Sequence, residues 1–177
     1  MPHSAPPTID LDAALHRLGY TDFRPGQREA VETIINEGRL LLVAPTGGGK
    51  SLIYQLPATV LGGTTLVISP LVSLMHDQVA ALQERGVAAT FLAATLDGEE
   101  VKRRMSALGR GEYTIAYVAP ERLAFPGFRG LVRDLDCPLA DEPPPGEAWC
   151  LYRLGLEYAR WVFGYPMAAG EPQPITH

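Results

Sequence analysis

Residues 44–51 read Ala44-Pro45-Thr46-Gly47-Gly48-Gly49-Lys50-Ser51. Three consecutive glycines let the backbone curl so that successive N–H groups point inward at one anion. A helix opening straight after such a loop adds its positive N-terminal end. Lys50 supplies a compact charge for the β- and γ-phosphates. The Ser51 hydroxyl is an oxygen ligand of the kind Mg²⁺ takes. The ligand this chemistry fits is a nucleoside triphosphate. The pattern is that of a phosphate loop with Ala44 in place of the first glycine, and the plain alternative is a glycine-rich turn. The apolar run before it and the helix-compatible run after it are the context a phosphate loop needs. The loop names a ligand, not a reaction.

The elements that must position this loop follow from periodicity. Leu40–Ala44 is an unbroken apolar run, which predicts a strand buried on both faces. Ser51–Leu61 predicts a helix closed by Gly62-Gly63. Upstream, Leu11, Leu15 and Leu18 share a face of a short helix capped by Thr8 or Asp10 and ended at Gly19. A second helix is expected from Pro25 to Glu37, with Ala30, Val31, Ile34 and Ile35 on its apolar face. Downstream come a strand at Thr64–Ser69 and a helix at Pro70–Glu84 with Leu74, Val79 and Leu82 as core candidates. A strand at Ala89–Leu92, a helix at Gly98–Leu108 and an apolar run at Tyr113–Val118 complete the alternation. Strands alternating with helices imply an α/β fold with a mostly parallel sheet and right-handed crossovers.

Composition narrows the classes. The chain has 177 residues, room for one domain. Its 46% hydrophobic and 20% charged residues are ordinary for a globular protein. No apolar run approaches the ~20 residues of a membrane span, so no membrane partner is expected. Cys137 and Cys150 have no metal-ligand spacing, and His3, His16, His76 and His177 are scattered, so a reducing cytoplasm is the expected compartment. The net charge of -5 excludes bulk-charge binding of nucleic acid. Residues 1–136 carry 13 basic against 15 acidic residues, and residues 137–177 carry 2 against 5. Nucleic-acid contacts must therefore come from local geometry.

Four blocks, in order, resemble one family. They are Gly19–Glu29 (GYTDFRPGQRE), Ala44–Ala58 (APTGGGKSLIYQLPA), Ser69–Val79 (SPLVSLMHDQV) and Tyr117–Leu123 (YVAPERL). Together they look like the opening of a RecQ-family DNA helicase, within the DEAD/DEAH-box helicases of superfamily two. The resemblance covers roughly residues 11–136. It implies a RecA-like motor domain using ATP and Mg²⁺ to move along single-stranded or forked DNA by backbone contacts. It also implies an adenine site at Tyr20, Arg24 and Gln27, where a ring can stack and an amide can read the base edge. The phosphates then fall to Thr46, Gly47, Gly48, Gly49, Lys50 and Ser51. Ser69, Ser73 and Gln78 become candidate DNA contacts, against the plainer reading of ordinary helix surface. Arg122 is another, against a salt bridge to Glu121 or Asp134. His76 stands where family members often carry Lys. Lys102-Arg103-Arg104 reads instead as a solvated face balanced by Glu99 and Glu100.

The next family motif is a buried strand ending in Asp-Glu-Ala-His, whose Asp holds Mg²⁺ and whose Glu polarises the attacking water. Here the chain reads Cys137-Pro138-Leu139-Ala140-Asp141-Glu142-Pro143. Leu139 and Ala140 span only roughly 7 Å at about 3.3 Å per residue, too short to cross a sheet. Asp141 as metal ligand and Glu142 as catalytic residue therefore compete with a chance acidic pair. Seven of the 16 prolines fall after residue 136, with Trp149 and Trp161. This predicts an incomplete motor domain over 10–140 behind a flexible N-terminus (1–9), followed by an irregular tail (141–177) outside the resemblance.

The expected function is ATP-dependent unwinding of the RecQ type, with this chain carrying part of the first motor lobe. Such a chain binds ATP weakly, does not unwind alone, and needs a second lobe, possible from a partner chain. The alternatives are a non-catalytic nucleotide- or DNA-binding module and an inactive truncated remnant.

Overall fold

The structure is a computed structural model, and it describes residues 9–42 and 49–135. Expectations for residues 1–8, 43–48 and 136–177 lie outside the described residues. These include Thr46, Gly47, Gly48, Asp141, Glu142 and the tail.

The chain opens with helix α1 (Leu11–Arg17), where Asp10 accepts the N–H of Ala13 as N-cap. Helix α2 (Gln27–Glu37) starts two residues later than expected because Gly26 takes a left-handed conformation ahead of it. Helix α3 (Lys50–Leu61) leads to strand β1 (Thr65–Ile68), helix α4 (Val72–Glu84) and strand β2 (Ala89–Leu92). Helix α5 (Gly98–Gly109), capped by Asp97, leads to strand β3 (Ile115–Val118). A 3₁₀ turn (Pro120–Ala124) and helix α6 (Pro126–Asp134) close the described part.

The three strands form a parallel sheet in the order β1-β3-β2. Ile115 is in register with Thr65 on one side and Ala89 on the other. All four β3 residues are buried, yet they serve two cores, because successive side chains leave opposite faces. Ile115 and Tyr117 join Leu15, Val31, Leu56, Met75 and Leu82 beneath α1, α3 and α4. Ala116 and Val118 join Leu66, Leu92, Leu108, Phe128 and Val132 beneath α5 and α6. The α/β alternation with a parallel sheet is as the periodicity predicts.

Three expectations need correction. Leu40–Leu42, the described part of the expected strand Leu40–Ala44, is not in a strand, and Val43 and Ala44 lie outside the described residues. Leu40 and Leu42 pack on a small cluster of Ala30, Ile34 and Ile53, while Leu41 is 76% exposed. An apolar run becomes a strand only where a neighbouring strand takes its backbone groups, and among the described residues none pairs with it. Leu74 is not core but exposed. Met75, Val79 and Leu82, at helical spacing, face the sheet, and Leu74 lies one residue out of phase. Finally, α6 has no counterpart in the sequence reading. Pro126 at its first position and Phe128 and Val132 four apart on its buried face explain it locally.

Candidate nucleotide and strand site

A cavity of about 230 Å³ lies where the Gly19–Glu29 segment meets α3 and α4. Tyr20, Arg24 and Gln27 line it from one side, and Gly49 and Ser51 from the other. The structure thus brings five of the residues expected at the nucleotide onto one space.

Gln27 is the hinge of this arrangement. It is buried, although a lone glutamine at the start of a helix is ordinarily solvated. Its Oε1 accepts the N–H of Arg24 at 2.8 Å, and its Nε2 donates to the carbonyl of Gly49 at 3.0 Å. One amide hydrogen and one lone pair remain, so the group keeps both a donor and an acceptor for a base edge. Gly49 must be glycine for two reasons. Its φ is +70°, and a Cβ there would collide with Gln27 Nε2.

Gly49 also precedes α3, and no side chain caps that helix. The positive end of the helix dipole there favours an anion. Lys50 is the first residue of α3 and exposed, and Ser51 lines the cavity. A hydroxyl at an open helix N-terminus, beside a lysine, fits a Mg²⁺-triphosphate. Mg²⁺ takes oxygen ligands and is usually held by few protein groups plus the phosphates themselves. Among the described residues no group of three or more His, Cys, Asp or Glu is arranged to hold a metal.

Two cavity residues escaped the sequence reading. Arg85, the C-cap of α4, sets its guanidinium 4.9 Å from the Tyr20 ring centroid and donates to the Tyr20 hydroxyl at 3.3 Å. It lies 65 residues from Tyr20, so no local pattern announces it. Gln55, buried on α3, lines the same cavity. Its signal was available: a glutamine inside the apolar run Leu52–Ala58.

The candidate strand contacts divide. Ser69 follows β1 and its hydroxyl accepts the N–H of Leu71 at 3.3 Å. Ser73 is exposed in the first turn of α4. Arg122 follows β3, donates to the carbonyl of Ala93 at 2.8 Å, and lies over the Phe125 ring. It pairs with neither Glu121 nor Asp134, and its Nε is buried without a partner. These residues follow the carboxyl ends of parallel strands, the edge where open α/β sheets place ligands. Gln78 instead lines the cavity of Tyr20 and Gln27, where it meets Gln55. His76 packs against the Phe91 ring at 5.0 Å. Lys102, Arg103 and Arg104 pair with Glu99 and Glu100, a balanced face as expected.

Comparison with known proteins gives the family. The profile of the DEAD/DEAH box helicase family matches residues 24–142, a span that takes in Gln27, the glycine loop, Arg122, Asp141 and Glu142. The chain is 41% identical over 145 residues to the ATP-dependent DNA helicase RecQ of Bacillus subtilis, covering 81% of this chain and 24% of that protein. It is 43% identical over 142 residues to the RecQ helicase of Haemophilus influenzae, covering 80% and 22%. A RecQ helicase of Synechocystis is 42% identical over 114 residues, covering 64% and 24%. The chain spans about a quarter of the length of these relatives. With the family profile matched over two thirds of the chain and Gly49 held by a buried glutamine, the chain belongs to the DEAD/DEAH box helicase family.

Proposed function

We propose that this chain is the nucleotide-binding part of the first motor lobe of a RecQ-type ATP-dependent DNA helicase. The observation that carries the reading is the cavity in which Gln27 holds Gly49 beside the uncapped start of α3. A purine belongs against Tyr20, with its edge toward the Gln27 amide. The triphosphate belongs at Gly49, Lys50 and Ser51, with Thr46, Gly47 and Gly48 completing the cradle. Bound Mg²⁺ supplies charge neutralisation on the phosphates, and Ser51 is its ligand from this chain. Asp141 and Glu142, at the end of the family match, are the acidic pair for metal and water.

Ser69, Ser73 and Arg122 are proposed to meet the phosphates of single-stranded or forked DNA. Open N–H groups at the uncapped start of α4 suit backbone contact without base reading. Among the described residues no helix is long and apolar enough to cross a membrane, and a cytoplasmic site of action fits ATP and DNA as ligands. Unwinding needs a second lobe, from a longer protein or a partner chain.

Calorimetric titration of the 177-residue chain with ATP and Mg²⁺ tests the reading. Weak saturable binding is expected, with no strand separation on a forked duplex. A folded sample that gives no heat with ATP overturns the nucleotide reading, and a sample that unwinds the fork overturns the need for a second lobe.

A further inference from the structure

A buried glutamine needs a reason, because an amide removed from water costs free energy unless its groups are satisfied. Gln55 is 2% exposed. Its Nε2 donates one hydrogen to Gln78 Oε1 at 2.7 Å and the other to the Tyr117 hydroxyl at 3.1 Å. Two amide hydrogens meet two acceptors. The Tyr117 hydroxyl also lies 3.4 Å from the Tyr54 hydroxyl, and either of the two can donate. Gln55 Oε1 has no partner among the described residues, and the residue lines the nucleotide cavity.

Three elements meet at this amide. Gln55 stands one helical turn beyond Ser51 on α3. Tyr117 is on the central strand β3, held in register on both sides. Gln78 is on α4, whose cavity face is Gln78, Ala81 and Arg85 at spacings of three and four. The other end of α4 carries Ser73. A 13-residue helix is about 20 Å long and moves as a rod. Whatever draws the start of α3 toward a ligand therefore shifts Gln55 against a fixed Tyr117, and the Gln55–Gln78 hydrogen bond passes the shift to α4 beside the apolar packing the two helices share.

We propose that Gln55 is a positioning residue that couples the nucleotide cavity to α4, so that bound ATP sets the placement of the end of α4 carrying Ser73. The inference rests on the nucleotide reading above and deepens it. By linkage, whatever binds at Ser73 changes ATP affinity by the same factor.

The test uses the 177-residue chain. ATP affinity is measured by displacement of a fluorescent ATP analogue, and amide hydrogen exchange is followed over Val72–Met75 with and without ATP and Mg²⁺. In the unaltered chain ATP is expected to slow exchange there by about threefold or more. Gln55→Leu, compared at saturating ATP by its own measured affinity, is expected to abolish that slowing. A merely structural role for Gln55 lowers stability but leaves the ATP-dependent difference in place. Gln78→Met removes the acceptor from the half-buried side and is expected to give the same loss, which covers a Gln55→Leu protein that fails to fold. Slowing that persists in either folded variant overturns the coupling, as does an unaltered chain that binds ATP with no change over Val72–Met75. A folded chain that binds no ATP removes the nucleotide reading, and the coupling falls with it.

Discussion

Gln27 and Gly49 are 22 residues apart in the chain and joined by one hydrogen bond, Nε2 to carbonyl oxygen, at 3.0 Å. The bond fastens the segment that carries Tyr20 to Gly49, so the proposed base site and the proposed phosphate site share one anchor. Gly49→Ala puts a methyl against Gln27 Nε2 at a φ of +70°. We expect ATP affinity to fall tenfold or more, about 1.4 kcal/mol. The backbone strain costs on the order of 1 kcal/mol of stability. Titration and a thermal melt on one sample separate the two effects.

Lys50→Ala removes the charge beside the uncapped start of α3 without touching a buried side chain. ATP binding is expected to drop below detection, with the melting temperature within a few degrees of the unaltered chain. An equal affinity in the variant would place the phosphates elsewhere.

Arg85 touches the ring and the hydroxyl of Tyr20. Arg85→Ala should therefore weaken ATP by about threefold to tenfold, on the scale of an exposed cation–π contact. Inorganic tripolyphosphate, which has no base, should bind both proteins equally. Equal losses for both ligands would show that Arg85 acts on the phosphates.

The pH dependence of stability has two limbs. Burial holds the Tyr117 hydroxyl well above its ordinary value of 10.0. A group whose folded pKa is raised contributes fully below its unfolded value, and that contribution is lost as pH rises past it. Melting temperature should fall above pH 10, and Tyr117→Phe should flatten that limb. At the acid end, hydrogen bonds from Arg103 and Arg104 draw Glu100 from 4.5 down to about 2. Its contribution is present above 4.5 and is lost as pH falls toward 2. Glu100→Gln should flatten this window, read by melts across it.

Phe128 is 1% exposed among Leu108, Val118 and Val132 on the α6 side of the sheet. Phe128→Ala is expected to cost about 3–5 kcal/mol in urea unfolding. ATP affinity of the folded fraction should be unchanged, because that face is opposite the cavity.

Much of this protein was legible before folding. The glycine loop, the FRPGQ segment and the alternation of apolar runs with helices are local patterns, and their physics acts over a few residues. The N-cap Asp10 and the strands β1, β2 and β3 follow from them. Gln27 was marked by its frame, and the structure explains that mark by burying its amide between Arg24 and Gly49.

What needed the third dimension was every property set by a partner distant in sequence. Leu40–Leu42 is as apolar as a strand, yet a strand exists only where another takes its hydrogen bonds. The phase of α4 against the sheet decided Met75 over Leu74. The meeting of Arg85 with Tyr20 and of Gln55 with Gln78 and Tyr117 depends on where α3 and α4 cross β3. Composition and spacing specify which groups are available for chemistry. Only packing determines which of them share a cavity, because contact falls off within a few ångströms while the chain separates those residues by 23 to 65 positions.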